Sequence, residues 1–212
     1  EGDGGWGRAS AQTVSPDSME ATVRRLSFDQ DSGRYRSRFA YRESELLDIA
    51  LWLSSRLQEV TGEVPVMQPF SFERVIDERD TTFTNYNLIL DMDLCPVSER
   101  VFVVSAHYDA IASRTPGFYG EWRTMATPGA NDNGTGVAAL IETARLVSAS
   151  ELPFDLRLIL FSGEELGRIG SIHYVEQCDL EPSCPERILG VVNLDMLGHT
   201  GGPPGMSIMS DE

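Results

Sequence analysis

Three short, nearly continuous apolar runs constrain the fold of this chain most strongly. They occupy residues 100–105, 156–161 and 188–194. A strand whose consecutive side chains are apolar is usually buried on both faces, because helices cover the two sides of a parallel sheet. The runs therefore predict an α/β fold with a largely parallel sheet at its centre.

Periodicity in the remaining sequence agrees with this class. Apolar residues recur at helical spacing over 43–61 and 134–148, and a further helix is expected over 165–175. Looser alternation predicts strands over 64–75 and 86–92. The alternation of strands and helices indicates an α/β sandwich.

The chain of 212 residues is long enough for one domain with a full core. Residues 1–18 are rich in Gly, Ser and Asp and predict a flexible tail, so the folded domain would comprise residues 19–212. Residues 111–127 predict a long loop, and loops of that length in a compact domain are often functional.

Charge and hydropathy argue against two classes of partner. Lys+Arg 17 against Asp+Glu 33 gives a net charge of −16, the opposite of the basic surface that nucleic acid requires. No run approaches the roughly 20 apolar residues of a membrane-spanning helix. No signal peptide is visible, and the chain does not begin with Met. Nothing in the sequence specifies an oligomeric state.

The cysteines leave the redox state open. Cys178 and Cys184 are spaced so that they could close a small disulfide loop in an exported protein, and two free thiols are an equal alternative. No Cys-x-x-Cys pair is present, so cysteine is not the expected metal ligand.

The residues that suggest chemistry follow the ends of the predicted strands. His107 follows the first apolar run, Glu164 and Glu165 follow the second, and Asp195 ends the third. Asp132 lies in a Gly-rich turn before a predicted helix. Ligands of open α/β sheets bind beyond the carboxyl ends of the strands, so these side chains are expected to converge. Imidazole and carboxylate ligands suit Zn²⁺, and an adjacent carboxylate can take a proton from water.

Each of these residues also has an ordinary structural explanation. A single His beside a strand is usually a packing or surface residue, and a Glu pair before a helix is favoured by the helix dipole. Asp132 and Asn133 are equally suited to cap the following helix. The shared placement at one sheet edge favours the metal-site interpretation. Asp109, close to His107, is then a candidate to hold the imidazole in one tautomer.

Four segments together resemble the motif set of the zinc peptidases of family M28. They are Ser-Ala-His-Tyr-Asp at 105–109, Pro-Gly-Ala-Asn-Asp-Asn-Gly-Thr-Gly-Val at 128–137, Phe-Ser-Gly-Glu-Glu-Leu-Gly at 161–167 and Asn-Leu-Asp-Met at 193–196. Their order and rough spacing also match, over about residues 35–198. The resemblance implies a three-layer α/β sandwich with a central mixed, largely parallel sheet flanked by helices.

The resemblance also implies two zinc ions and a role for each candidate residue. His107 and Asp195 would bind one ion and Glu165 the other, with Asp132 bridging the two. Glu164 would act as the general base.

The chain departs from the family pattern at two points. Asn131 replaces an acid often found there, with little expected effect because it is not the bridging position. A further His ligand belongs well downstream of Asp195, yet His173 lies in a predicted helix and His199 follows Asp195 too closely. The sequence therefore predicts a domain that is C-terminally incomplete, with its last ligand beyond Glu212.

The activity implied by the resemblance is that of a zinc-dependent aminopeptidase acting on a peptide with a free N-terminus. Tyr119 and Trp122 are candidates for the side-chain pocket, and loop packing is their alternative role. A glutaminyl cyclase-like zinc acyltransferase and a non-catalytic binding domain on the same fold are the alternative functions. The resemblance and the cysteine pair also predict a secreted or periplasmic location.

Overall fold

The computed structural model describes residues 13–97, 100–180 and 184–198. The helices in these ranges are α1 (Pro16–Ser27), α2 (Glu43–Thr61), α3 (Phe118–Glu121), α4 (Gly134–Val147), α5 (Ile169–Asp179) and α6 (Cys184–Arg187). The strands are β1 (Phe28–Asp29), β2 (Arg34–Tyr35), β3 (Val66–Ile76), β4 (Arg79–Met92), β5 (Val101–His107), β6 (Asp155–Phe161) and β7 (Ile188–Asn193).

Five of these strands form one mixed sheet in the order β3-β4-β6-β5-β7. Strand β5 pairs in parallel with β6 and with β7, whereas β4 pairs antiparallel with β3 and β6. The three apolar runs of the sequence are therefore the three adjacent parallel strands. The predicted α/β class, with helices flanking a mixed sheet, is confirmed.

Alternate side chains of β5 and β6 enter two separate cores. Val104 and Leu158 belong to the large core that includes apolar residues of α2 and α4. Val103 and Ile159 belong to a smaller cluster with Tyr174 of α5. Full burial of one such aliphatic side chain stabilises the fold by about 1.5–3 kcal/mol. Burial on both sides explains why these strands are continuously apolar. Because β5 and β6 are parallel neighbours, they end at the same edge of the sheet.

Helix α1 was not predicted, and it begins within the stretch assigned to the tail. Its N-terminus carries standard start signals: Ser15 accepts a hydrogen bond from the Ser18 amide at 3.3 Å, and Pro16 opens the first turn. The apolar stripe is short: it consists of Met19, Val23 and Leu26, and of these only Leu26 is fully buried. Residues 1–12 of the predicted tail lie outside the described residues.

Other predicted elements also differ from the structure. Strand β4 begins at Arg79 rather than at residue 86, and α3 lies within the predicted loop. Helix α5 begins at Ile169 rather than near Glu165, because the chain first makes a turn in which the Gly167 and Arg168 amides donate to the Glu164 carbonyl. Strand β7 was expected to be buried, but Val191 is 61% exposed. Among the described residues β7 pairs only with β5, so it forms an edge of the sheet.

A disulfide joins Cys178 at the end of α5 to Cys184 at the start of α6. Of the two redox states that the sequence left open, the structure therefore contains the bonded one. Cys95 is a buried free thiol far from this loop in sequence.

Candidate metal centre

Three residues from three segments meet beyond the ends of the parallel strands. His107 ends β5, Asp132 precedes α4 and Asp195 follows β7, and one ligand atom of each lies within 4.8 Å of the others. His107 Nε2 is 3.2 Å from Asp132 Oδ1 and 3.7 Å from Asp195 Oδ1. Two ligand atoms that each lie about 2.1 Å from a tetrahedral zinc ion are about 3.4 Å apart. The spacing and the donor types therefore fit a zinc ion.

The imidazole is buried, whereas the two carboxylates remain accessible. The His107 side chain is 3% exposed, against 46% for Asp132 and 42% for Asp195. Burial of the ring opposes its protonation, but the interaction with Asp109 and the charges of Asp195 and Glu164 raise the pKa of His107 to about 9. The side chains thus create a strongly negative, solvent-accessible site that stabilises a cation.

Asn133, and not Asp132, caps helix α4. The Asn133 side chain is fully buried and its Oδ1 accepts from the Gly136 amide at 3.0 Å. The sequence allowed either residue to cap the helix, and in the structure Asn133 does so. The Asp132 carboxylate is therefore available to face His107. The peptide bond between Asp132 and Asn133 is cis.

The same turn forms hydrogen bonds with the backbone on both sides of Asp195. Asn133 donates through Nδ2 to the Leu194 carbonyl at 2.8 Å and accepts from the Met196 amide at 3.2 Å. The Leu197 amide donates to Thr135 Oγ1, and the Gly198 amide donates to Asn131 Oδ1 at 2.9 Å. We call Asn131, Asn133 and Thr135 the turn clamp. It holds the backbone on both sides of Asp195, a role that was not predicted from the sequence.

The clamp requires a very close approach at Gly136. A Cβ atom there would lie 2.3 Å from Asn133 Oδ1 and 2.3 Å from the Leu194 carbonyl oxygen. Neither contact is possible for a real side chain, so Gly136 is needed for the α4 N-terminus to meet the β7 end. The spacing Asn-x-Asn-x-Thr followed by Gly was the available sequence signal.

Asp109 connects the histidine to the glutamate turn. Its side chain is fully buried; Oδ1 accepts from the Glu164 amide at 3.1 Å and Oδ2 faces the Glu165 amide at 3.3 Å. Oδ1 also lies 3.6 Å from His107 Nδ1, which contacts the Asp109 carbonyl at 3.2 Å. One carboxylate thus orients both the imidazole and the turn that carries the two glutamates.

The glutamate pair lies beside this cluster rather than in a helix. No acidic residue occupies the first turn of α5, so the helix-dipole explanation of the pair does not apply. Burial raises the pKa of Glu165 to about 7, and the charges of Asp132 and Asp109 add to the effect. Burial also raises the pKa of Glu164, with His107 opposing and the neighbouring acids reinforcing the shift. Glu165 is not part of the triad within 4.8 Å.

A cavity of about 330 Å³ opens beside Glu164 and His107, between β5, β7 and α5. Its walls include Val103, Tyr174 and Val191, but neither Tyr119 nor Trp122. Trp122 packs edge-on against Phe39 and Tyr41, and Tyr119 is 71% exposed. The two aromatic residues proposed from the sequence are therefore not walls of this cavity.

No further histidine among the described residues belongs to the triad. His173 stacks on Phe70, in keeping with a packing role, and His199 lies outside the described residues. Arg38 is fully buried under the acid cluster, and the sequence carries no local signal of this position.

Comparison with known proteins agrees with the motifs. The sequence profile of Peptidase family M28 matches residues 87–211, which is more than half of the chain. Aminopeptidase YwaD of Bacillus subtilis (strain 168) is 36% identical over 98 residues, which cover 46% of this chain and 18% of that protein. The chain therefore covers well under two thirds of the length of this relative.

Solved structures share the fold. The structure of BSAP, a zinc aminopeptidase from Bacillus subtilis, matches with a TM-score of 0.69 at 17% identity, over 88% of this chain and 70% of that one. A glutaminyl cyclase from Fimbriiglobus ruber matches with a TM-score of 0.69 at 21% identity, over 90% of this chain and 64% of that one. At these identities the structural likeness shows a shared fold and nothing more. The profile match covers more than half of the chain and agrees with the four motifs, so the chain belongs to peptidase family M28.

Proposed function

We propose that this chain is a zinc-dependent aminopeptidase domain that cleaves the N-terminal peptide bond of a peptide with a free amine. One observation carries the proposal: ligand atoms of His107, Asp132 and Asp195 converge within 4.8 Å beside Glu164, at the carboxyl edge of the parallel strands. Family membership and the relative named as an aminopeptidase support it.

The zinc ligands would be His107, Asp132, Glu165 and Asp195. We assign His107 and Asp195 to one ion, Glu165 to a second, and Asp132 to a bridging position. A zinc ion at such a site lowers the pKa of water and polarises a carbonyl group. Burial and the nearby charges of Asp132 and Asp109 raise the pKa of Glu165, and this concentration of acids supports a site that takes more than one positive charge.

Glu164 is the proposed general base. It lies on the wall of the cavity next to His107, and Asp109 orients its backbone. A carboxylate with a raised pKa accepts a proton from the attacking water readily and can return it to the departing amine. The negative charge of the surrounding acids would also hold the ammonium group of the substrate.

Two other functions share this fold. A glutaminyl cyclase-like acyltransferase is the alternative enzyme, and the fold likeness to a glutaminyl cyclase does not separate it from a peptidase. A non-catalytic binding domain is the third alternative, and the intact triad with an adjacent Glu164 argues against it.

Zinc content and substrate choice test the proposal together. The 212-residue chain is stripped with chelator, dialysed against zinc and measured for bound metal by atomic emission. A peptide with a free N-terminus, its N-acetylated twin and a peptide with N-terminal Gln are then incubated with the loaded protein. We expect at least one zinc ion per chain and release of the first residue from the unblocked peptide only.

Other outcomes identify the alternatives. Ammonia release and a cyclised N-terminal Gln, without peptide cleavage, would assign the cyclase function. No bound zinc would contradict the peptidase and favour a binding role.

We also propose a secreted or periplasmic location. The Cys178–Cys184 disulfide supports it, because such bonds persist in oxidising compartments. No helix among the described residues combines the length and the apolar character needed to cross a membrane. Alkylation of the native protein before reduction, followed by mass spectrometry, tests the proposal: both cysteines should resist the first alkylation, and labelling of both would contradict it.

A further inference from the structure

Arg38 is a charged residue that is fully buried in the described part of the chain. Its side chain is completely inaccessible, and no carboxylate in the described part of the chain lies within ion-pair distance of it. Instead, the guanidinium donates to three main-chain carbonyls, those of Tyr108 at 2.8 Å, Pro128 at 2.8 Å and Gly129 at 2.9 Å. An ion buried in this way is costly unless its donors are satisfied and its charge is balanced.

The three carbonyls belong to the two segments that carry metal ligands. Tyr108 lies directly after His107, and Pro128 and Gly129 open the turn that leads to Asp132. The Arg38 backbone joins the same segments, since its carbonyl accepts from the Ala110 amide at 2.9 Å and its amide donates to Thr127 Oγ1 at 2.8 Å. Arg38 therefore links both segments through side chain and backbone.

The charge of Arg38 is balanced through space by the acids of the site. Burial lowers its pKa to about 10, and the charges of Asp109, Asp132 and Glu165 oppose that shift. The guanidinium stays protonated at neutral pH, and its planar fork lets one side chain satisfy carbonyls of two segments at once. A lysine ammonium at the end of a flexible stem cannot reproduce this fixed arrangement.

We propose that Arg38 is a positioning residue of the metal centre: it sets the separation of His107 and Asp132 by bridging the backbones that carry them. The inference rests on the proposed function, because the metal whose ligands it positions is the zinc proposed there. Its consequence is that Arg38 controls metal affinity and coordination geometry without touching metal or substrate.

Two variants and a matched control test the proposal. Arg38→Met keeps much of the volume and removes all donors, and Arg38→Lys keeps the charge and removes the fork. Arg157→Met is the control, because the Arg157 side chain bonds to Asp91 of β4 and Tyr174 of α5 and not to the turns around Tyr108 and Gly129. Zinc affinity is measured by calorimetry, the Co²⁺ form by visible absorption, and folding by circular dichroism.

We expect folded Arg38→Met to bind zinc about 10–100-fold more weakly than the unaltered chain, with a changed Co²⁺ spectrum. Arg38→Lys should also bind more weakly, by about tenfold. Arg157→Met should lose stability and keep both the affinity and the spectrum. Unchanged affinity and spectrum in folded Arg38→Met would overturn the inference while leaving the zinc site intact.

A measurement on the unaltered protein covers the case in which the Arg38 variants do not fold. The Arg38 Nε–H resonance should exchange slowly with solvent, and it should shift when zinc is added, because the Tyr108 carbonyl to which it donates moves with His107. A resonance that does not respond to bound zinc would overturn the role of Arg38. Absence of zinc binding in the unaltered chain would instead contradict the proposed function itself.

Discussion

The Asp109 carboxylate accepts a hydrogen bond from the backbone amide of Glu164 at 3.1 Å, across 55 residues of sequence. The second oxygen faces the Glu165 amide, and the same side chain lies beside the His107 ring. A carboxylate that accepts from backbone amides is held in one orientation. The relationship therefore couples the strand end that carries His107 to the turn that carries the two glutamates.

Asp109→Asn should weaken zinc binding by about 10–100-fold, because an amide offers one acceptor where the carboxylate offers two. Asp155→Asn is a control for the change of charge: Asp155 also accepts from two amides, those of Leu94 and Cys95, but through Oδ1 alone and away from the site. Calorimetry on both variants should show the loss for Asp109 alone. Equal losses would mean that Asp109 acts only through general stability.

Glu164→Gln should lower kcat about 10²–10⁴-fold with zinc content unchanged, because the amide cannot accept the proton of the attacking water. Glu165→Gln should instead reduce the zinc content, since Glu165 is a proposed ligand. Atomic emission and turnover of an unblocked peptide are compared on the same samples. Retained turnover in Glu164→Gln would remove it from the role of base.

The same substitution at two positions of the turn clamp should change stability by very different amounts. Asn131 accepts from the Gly198 amide through Oδ1, an oxygen that Asp also has. Asn131→Asp should therefore change the free energy of unfolding by less than about 0.5 kcal/mol. Asn133 is buried and donates to the Leu194 carbonyl, so Asn133→Asp buries an unmatched charge and should cost about 3 kcal/mol or more. Urea unfolding measures both, and similar values at the two positions would contradict the assigned bonds.

Glu142→Gln should destabilise the fold in a pH-dependent way. Glu142 is buried, pairs with Arg145 and accepts from the Ser15 amide at 2.6 Å, so its pKa in the folded protein is lowered. A lowered pKa stabilises the folded state above the unfolded value of 4.5, and this contribution is lost as the pH falls through the folded pKa. The variant should be less stable than the unaltered chain by an amount on the order of 1 kcal/mol at pH 7.

Unfolding at pH 7 and at successively lower pH checks this expectation. The difference between Glu142→Gln and the unaltered chain should narrow below pH 4.5 as the carboxylate becomes protonated. A difference in the free energy of unfolding that stays constant over the whole range would show that the charge of Glu142 does not hold α1 against α4.

The predicted parts of the fold were those with strong local patterns. The apolar runs became the three parallel strands, and helices α2 and α4 lie where the periodicity places them. Helix α1 was missed because its apolar stripe is short within a mostly polar segment, and the Glu142 carboxylate that accepts from Ser15 is distant in sequence. The start of α5 was misplaced because Gly167 and Arg168 adopt positive φ, which periodicity does not reveal.

The sequence by itself determined which donor groups this protein places at the carboxyl ends of its strands, because strand burial and motif order are local properties. It also contained the cysteine pair and the His, Asp and Glu residues of the proposed centre. Only the tertiary structure decided that Asn133 rather than Asp132 caps α4, that Asp109 orients the glutamate turn, and that Arg38 lies beneath the ligands. The Asn133 cap is a local bond, but the same side chain is fixed by bonds to Leu194 and Met196. These bonds, like those of Asp109 and Arg38, join segments far apart in the chain, and their geometry exists only once the sheet and its helices have packed.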